Sequence, residues 1–142
     1  MDTDFLKDLD PVPRRVGVLS QTTQIPSHFV EFAKKIVGSL LEKDVELRFI
    51  DTICHDMRDR QKMALELARR VDLMLVVGSQ TSANTNHLVD LCATATESRL
   101  VETAESLNEG GLKGFQRIGV ASGASTSDET VDAVLSRLKT LL

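Results

Sequence analysis

A run of five apolar residues near the middle of the chain constrains the fold most strongly. Leu73–Val77 reads LMLVV and has no polar residue on either face. A strand that is apolar on both faces is typical of the centre of a parallel sheet, where helices cover each side. A strand with one face in solvent instead alternates apolar and polar residues. The run therefore predicts an α/β protein with a buried, parallel central strand.

Strand and helix patterns alternate along the rest of the chain. This order predicts one three-layer α/β/α domain with an open, mostly parallel sheet of four to five strands. The predicted strands span 15–20, 45–50, 73–77, 100–103 and 117–121, and the predicted helices span 26–42, 59–71, a segment from about 85, 105–111 and the residues after a Thr126/Glu129 capping box.

The start of the chain differs in character from the rest. Residues 1–14 are polar and contain Pro11 and Pro13, so we expect a linker or lead-in segment there. Residues 15–142 are expected to form the α/β domain. A polar start that contains prolines also suits a cut at an interdomain linker.

The charge and the cysteine content limit the partners of this chain. Its 142 residues carry a net charge of -4 and scattered basic residues, which argues against nucleic-acid binding. No apolar run approaches the roughly 18 residues that span a bilayer, so no membrane partner is expected. Cys54 and Cys92 lie far apart in sequence and suit a reducing compartment. We therefore expect a cytoplasmic protein with a small-molecule ligand.

Small polar residues follow four of the predicted strands. In parallel α/β sheets the ligand crevice lies beyond the carboxyl ends of the strands, where loops lead into helix N-termini. Hydroxyl, carboxamide and backbone N–H groups can bind phosphate oxygens without a lysine, so a diphosphate would suit these loops. Loops and helix caps also use these residues for purely structural reasons, and that interpretation stays open for any single loop. The loops are 20–23, 51–54, 78–84 and 122–125.

Several classes of phosphate-binding protein are excluded by what the chain lacks. It has neither G-x-x-x-x-G-K-[ST] nor G-x-G-x-x-G after its first strand. It has no Trp or Tyr to stack on a flavin, as flavodoxins do. Gly78 and Ser79 stand where a phospho-receiver would need an aspartate.

Cys54 lies in the loop after the second predicted strand, just before a helix. A thiol at that edge could be a structural residue, a nucleophile or an iron ligand. A Cys-His nucleophile is disfavoured, because neighbouring residues in an extended loop point apart and separate His55 from the thiol. An iron-sulfur cluster would need further ligands from elsewhere, since one cysteine cannot hold a cluster.

Six short segments form a specific combination, although each alone is not specific. They are SQTT at 20–23, DTIC at 51–54, RQ at 60–61, VVGS at 76–79, SANT at 82–85 and GAST at 123–126. In order and spacing these segments resemble the C-terminal third of the 4-hydroxy-3-methylbut-2-enyl diphosphate reductase family, also called LytB or IspH. The resemblance runs from about residue 15 to residue 142.

The resemblance implies an oxidoreductase in which three α/β domains surround a [4Fe-4S] iron-sulfur cluster bound by three cysteines. Cys54 would be the third metal ligand, and Thr22 would lie by the substrate hydroxyl and the proton-delivery group. Ser82, Asn84 and Ser125 would hold the diphosphate. The implied reaction gives isopentenyl and dimethylallyl diphosphate in the non-mevalonate pathway of isoprenoid biosynthesis, with an electron donor such as ferredoxin or flavodoxin.

The chain departs from the family pattern in ways that bear on activity. Asp56 and Met57 replace the usual Ala and Thr after Cys54, and the other cluster cysteines belong to upstream domains of the family. Cys92 does not replace them, because it falls on the apolar face of its helix. We expect the isolated chain to lack the cluster and to be inactive without the missing N-terminal domains. The alternative is a stand-alone, non-catalytic phosphate-binding α/β module that lost the enzyme context.

Overall fold

The computed structural model describes residues 11–142, so most of the predicted lead-in segment lies outside the described residues. The described chain divides into two compact units, one ending at Arg58 and the other spanning Asp59–Leu142. Residues 11–14 contain no helix or strand, and the first strand begins at Arg15. Within residues 11–142, no helix combines the length and the apolar character that crossing a membrane requires.

Strands and α-helices alternate along the described residues, which confirms the predicted α/β class. A short 3-10 helix, Ala104–Ser106, precedes the fourth α-helix. The strands are β1 (Arg15–Leu19), β2 (Glu46–Ile50), β3 (Leu73–Val77), β4 (Glu97–Val101) and β5 (Ile118–Ser122), and the helices are α1 (Pro26–Leu40), α2 (His55–Ala68), α3 (Ala83–Ala93), α4 (Glu109–Leu112) and α5 (Asp128–Leu141).

In the first unit, α1 packs on a pair of parallel strands, β1 and β2. Pro26 stands in the first turn of α1, where its missing N–H group costs no helical hydrogen bond. The strands end together, with Leu19 opposite Ile50, so the loops that follow them start at the same edge. The core of this unit consists of Val18, Phe29, Ile36, Leu40 and Ile53.

In the second unit, β3 is the central strand of a parallel sheet in the order β4-β3-β5. Every β3 residue is buried, as its apolar run predicts. Alternate β3 side chains enter two separate cores, so helices cover both faces and form three layers. Leu73, Leu75 and Val77 pack with Val134 and Leu138 of α5, and Met74 and Val76 pack with Leu88 and Cys92 of α3 and with Ala64 and Ala68 of α2.

The parallel pairing predicted for a sheet of four to five strands is found among the described strands. They pair as two sheets, β1-β2 and β4-β3-β5. The residue pattern locates each strand, but a period of two does not say which strands share hydrogen bonds. β1 also differs from a central strand, because only Val18 is buried along its length.

The N-terminus of α5 differs from the predicted capping box. Ser127, not Thr126, is the N-cap, and its Oγ accepts a hydrogen bond from the Thr130 N–H at 3.3 Å. The Thr126 hydroxyl instead donates to the carbonyl oxygen of Val77 at 3.0 Å. The bond to the end of β3 is between residues far apart in sequence, which a local capping pattern cannot reveal.

Candidate functional site

The loops after β1 and β2 are joined by Ser20 and Thr52. The Thr52 N–H donates to Ser20 Oγ at 3.0 Å, and the Thr52 hydroxyl donates to the carbonyl oxygen of Ser20. The two hydroxyl oxygens are 3.1 Å apart. These bonds hold the two loops together at the edge where the strands end.

Thr22 and Cys54 lie side by side in these loops. The Cys54 N–H donates to the Thr22 carbonyl oxygen at 3.0 Å. The Cys54 carbonyl accepts the Arg58 N–H at 3.1 Å, so Cys54 stands directly at the start of α2. The Cys54 thiol is free and half-buried, whereas Thr22 is exposed. The structure thus brings together the predicted metal ligand and the predicted catalytic residue, whose roles stay predictions.

Asp51 anchors the loop that carries Cys54. One carboxylate oxygen accepts the Ile53 N–H at 3.1 Å, and the other accepts a hydrogen bond from the Arg58 guanidinium. The hydrogen bonds from the Ile53 N–H and the Arg58 side chain lower the pKa of Asp51 from its ordinary value of 3.8. Because Ile53 belongs to the core of the first unit, Asp51 connects the thiol loop to that core.

Replacing Asp51 with asparagine is expected to loosen this loop. A carboxylate with a depressed folded-state pKa stabilises the fold above its unfolded pKa, and this contribution is lost as the pH falls through the folded pKa. We expect the Cys54 amide to exchange with deuterium several-fold faster in the variant near neutral pH, and the difference from wild type to vanish in strong acid. Hydrogen exchange followed by NMR measures both.

Asp44→Asn is the matched control for this substitution. Asp44 is exposed, and its carboxylate lies 3.8 Å from the Arg14 guanidinium. Exposed pairs of this kind contribute little to stability, so this variant should leave the exchange of the Cys54 amide unchanged. Equal acceleration in both variants would contradict the anchoring role of Asp51.

The N-terminus of α3 carries Ser82 and Asn84, two of the predicted diphosphate-binding residues. Ser82 is the N-cap, and its Oγ accepts the Thr85 N–H at 3.3 Å. Asn84 is only 8% exposed, and its side-chain Nδ2 has no hydrogen-bond partner among the described residues. A buried amide without a partner costs free energy. Its N–H groups are suited to an oxyanion, which the positive end of the α3 dipole also favours.

Ser125, the third of these residues, lines an open groove of about 540 Å³ beyond the ends of β3, β4 and β5. Glu102 also lies in this groove, where its carboxylate accepts the Gln80 N–H at 2.8 Å. The negative charge disfavours an anion on the β4 side of the groove. Sequence reasoning missed Glu102, which directly follows β4 and belongs to the weakest strand pattern of the chain. The other lining residues are Gly78, Ser79, Thr103, Thr126, Ser127 and Thr130.

Thr85, at the start of α3, contacts two loops. One follows β3, and the other follows β5 and carries Ser125. Thr85 Oγ1 lies 2.6 Å from where a Cβ on Gly78 would stand, and 2.5 Å from where one on Gly123 would stand. Gly78 directly follows β3 and Gly123 directly follows β5, so the hydroxyl fits there because both residues lack a side chain. Sequence reasoning missed Thr85, and the signal that could have found it is a glycine after each of two buried strands.

The predicted site residues therefore form two groups. Ser82, Asn84 and Ser125 lie on neighbouring loops of the second unit, because Thr85 contacts both loops. Thr22 and Cys54 lie on neighbouring loops of the first unit. The expectation that both groups belong to one site stays a prediction.

The chain supplies one suitable ligand for an iron-sulfur cluster, Cys54. Of its two cysteines, Cys92 is fully buried in an apolar core with Met74 and Leu88. Burial raises the pKa of the Cys92 thiol to about 11, so this side chain stays protonated. Among residues 11–142, no group of three or more His, Cys, Asp or Glu side chains is arranged to hold a metal ion. These residues could bind one iron of a cluster through Cys54, but they do not supply its other ligands.

The fold and these loops define a parallel α/β protein with a free thiol and small polar side chains where its strands end. Comparison with known proteins is more specific. The LytB protein family model matches residues 2–139, and the chain belongs to this family. The chain is 54% identical over 136 residues to the 4-hydroxy-3-methylbut-2-enyl diphosphate reductase of Dehalococcoides mccartyi, and 39% identical over 129 residues to that of Pelobacter propionicus.

Two solved structures are similar to this chain. One is described as (E)-4-hydroxy-3-methyl-but-2-enyl diphosphate reductase, the terminal enzyme of the non-mevalonate pathway; it is 34% identical, with a TM-score of 0.60 over 95% of this chain. The other is the E-1-hydroxy-2-methyl-but-2-enyl-4-diphosphate reductase from Plasmodium falciparum, which at 23% identity and a TM-score of 0.80 over 94% of this chain shows the fold alone.

The chain spans about half the length of the relatives it matches. It covers 48% and 45% of the two curated reductases and 48% and 43% of the two solved chains. The matched share is larger than the C-terminal third that the sequence segments implied. The family of the chain is therefore known, whereas the names of the reductases describe longer proteins.

Proposed function

We propose that this chain is part of an iron-sulfur reductase that converts 4-hydroxy-3-methylbut-2-enyl diphosphate to isopentenyl and dimethylallyl diphosphate. The observation that carries this function is the backbone hydrogen bond between Cys54 and Thr22, which sets the available thiol beside the predicted catalytic residue. Membership of the LytB family and the 54% identity to a named reductase support the same reaction. The missing N-terminal domains would supply the rest of the active centre.

In the complete enzyme, Ser82, Asn84 and Ser125 would bind the substrate diphosphate. The buried amide of Asn84 has N–H groups to donate, and Ser125 presents a hydroxyl at the groove. The partial positive charge at the start of α3 would balance part of the negative charge of the diphosphate. Such a site holds the substrate by its diphosphate and leaves its allylic end free to react.

Cys54 would be one of three cysteine ligands of a [4Fe-4S] cluster, and Thr22 would contact the substrate hydroxyl. When bound, the cluster supplies the electrons of the reaction. In total, two electrons and two protons are consumed, the allylic C–O bond breaks, a C–H bond forms and water leaves. The exposed Thr22 hydroxyl would position the leaving hydroxyl and pass a proton to its oxygen.

The electron donor would be a small redox protein such as ferredoxin or flavodoxin. We place the enzyme in the cytoplasm, where a reducing environment keeps both cysteines as thiols. Both are free in the structure, and Cys54 is half-buried rather than enclosed. A free thiol is what cluster assembly would require of Cys54.

The second candidate function is a stand-alone, non-catalytic phosphate-binding module. The observation in its favour is Met57, which is buried and stands where the family pattern has a threonine near the cluster. The loop that follows Cys54 therefore lacks that hydroxyl. The pairing of Cys54 with Thr22 favours the reductase, because a simple phosphate site has no use for a thiol.

A chimera tests the reductase directly. The part of the Dehalococcoides mccartyi reductase that this chain does not match would be joined to this chain, purified anaerobically and reconstituted with iron and sulfide. We expect the chimera to reduce 4-hydroxy-3-methylbut-2-enyl diphosphate, and the isolated chain to be colourless and inactive. A folded, cluster-containing chimera without turnover would favour the non-catalytic module. Turnover by the isolated chain would contradict the expected need for further domains.

A further inference from the structure

Two consecutive residues at the start of α3 are buried with unpartnered polar atoms. Besides Asn84, Thr85 is 1% exposed, and its Oγ1 has no hydrogen-bond partner among the described residues. A buried hydroxyl in this state lowers stability. Such groups are rare in native proteins, and a bound ligand is one physical reason for keeping them.

The Thr85 hydroxyl lies at the point of the second unit where ligands bind in open α/β sheets. The strand order is β4-β3-β5. After β3 the chain forms β4 on one side of it, and it then crosses back to form β5 on the other side. The helices that follow β3 and β5 pack on opposite faces of the sheet. The crevice between these two strand ends is therefore the topological switch point. Thr85 Oγ1 contacts Gly78 and Gly123, the residues that directly follow β3 and β5.

Neighbouring groups leave the Thr85 hydroxyl free to donate. The Thr85 backbone is held by its N–H bond to Ser82 Oγ, which fixes the position of the side chain. The nearby Thr126 hydroxyl donates to the Val77 carbonyl oxygen at 3.0 Å. The Gly123 N–H donates to the same oxygen at 2.9 Å. Two donors already satisfy that carbonyl, and Thr85 Oγ1 has no hydrogen-bond partner among the described residues.

We propose that Thr85 is a further anion-binding residue, whose hydroxyl donates a hydrogen bond to an oxygen of a phosphate group bound between the ends of β3 and β5. This role rests on the proposed diphosphate-binding function of the same loops and adds a residue to it. Gly78 and Gly123 belong to the same proposed site, because a side chain on either would displace the Thr85 hydroxyl. The anion would gain a side-chain donor from α3 as well as those from the loops.

The substitution Thr85→Val separates an effect on binding from an effect on folding. Valine keeps the shape of threonine but has a methyl group in place of the hydroxyl. Removing a buried hydroxyl that lacks a partner should leave the fold as stable or make it more stable. The same change should weaken binding of inorganic pyrophosphate about tenfold, because a hydrogen bond to a charged oxygen is lost. Thr85→Ser keeps the hydroxyl and should bind within about twofold of wild type.

Titration of the isolated chain with millimolar inorganic pyrophosphate, followed by NMR, measures affinity, and urea unfolding of each variant measures stability. Thr96→Val is the matched control, because the Thr96 hydroxyl donates to the Val71 carbonyl oxygen at 3.1 Å, at the opposite end of the sheet. That variant should be less stable than wild type and bind pyrophosphate equally well. The two Thr→Val variants are thus expected to show opposite patterns.

The outcomes distinguish this role from the proposed function. Wild-type binding that Thr85→Val leaves unchanged would overturn the role of Thr85 while the diphosphate site stands. A clear loss of stability or of folding in Thr85→Val would also overturn it, because the hydroxyl would then have a partner within the protein. No binding by the wild type would remove the diphosphate site and the role of Thr85 together.

Discussion

Replacing Cys54 with alanine is expected to remove the iron-sulfur absorbance of the chimera and its reductase turnover. Cys54 is half-buried at the start of α2, next to Thr22, and it is the one cysteine of this chain outside the apolar core. Loss of a direct cluster ligand should cost more than the roughly 10- to 100-fold that loss of an outer-shell partner costs. Absorbance after anaerobic reconstitution, iron content and turnover measure the effect.

Cys92→Ala is the matched control for Cys54. Cys92 is fully buried, and its raised pKa keeps the thiol protonated, so it is not available to iron. This variant should lose some stability from reduced packing while its absorbance per folded protein and its turnover stay near wild type. Full cluster content in the Cys54 variant, or its loss in the Cys92 variant, would show that the ligand has been assigned to the wrong residue.

Replacing Gly78 with alanine is expected to destabilise the second unit by about 3 kcal/mol, since a strained backbone and a steric clash each cost about 1–3 kcal/mol. Gly78 has φ +155, which a side chain disfavours. Its Cβ would stand 2.6 Å from Thr85 Oγ1 and 3.0 Å from Thr126 Oγ1. Neither threonine can move easily, because one is buried and the other bonds to Val77. Urea unfolding followed by NMR signals of the second unit measures the change.

Gly110→Ala is the matched control for Gly78. A Cβ there would stand 3.5 Å from the side chain of Asn108, an ordinary contact, and Gly110 is exposed. The control should change the unfolding free energy by less than about 0.5 kcal/mol. If the Gly78 variant behaved like the control, the close approach of Thr85 to the end of β3 would not depend on that glycine.

The fold could be predicted wherever it depends on local patterns. The apolar run Leu73–Val77 correctly predicted a buried central strand, and the alternation of strands and helices gave the α/β class. The pairing of the strands into two sheets could not be predicted, because hydrogen bonds between strands join residues far apart in sequence. The prediction of the α5 cap failed for the same reason, since the Thr126 hydroxyl donates to the Val77 carbonyl oxygen rather than capping its own helix.

The candidate site could be predicted as a set of loops but not as a set of contacts. Ser82 and Asn84 were expected from the loop composition and the family segments, and both lie at the start of α3. Thr85 was missed because nothing in its own neighbourhood shows that its hydroxyl would meet Gly78 and Gly123. Glu102 was missed because it follows the least distinct strand. Such residues depend on which strands are neighbours, which a single sequence does not show.

The central claim is that Cys54 binds iron while Ser82, Asn84 and Ser125 bind a diphosphate in the same enzyme. Diffraction at the iron absorption edge from crystals of the reconstituted chimera, grown with inorganic pyrophosphate, tests it most directly. The predicted result is an iron peak at bonding distance from the Cys54 sulfur and pyrophosphate density in contact with those three residues. Iron bound without the Cys54 sulfur, or pyrophosphate bound away from the α3 N-terminus, would contradict it.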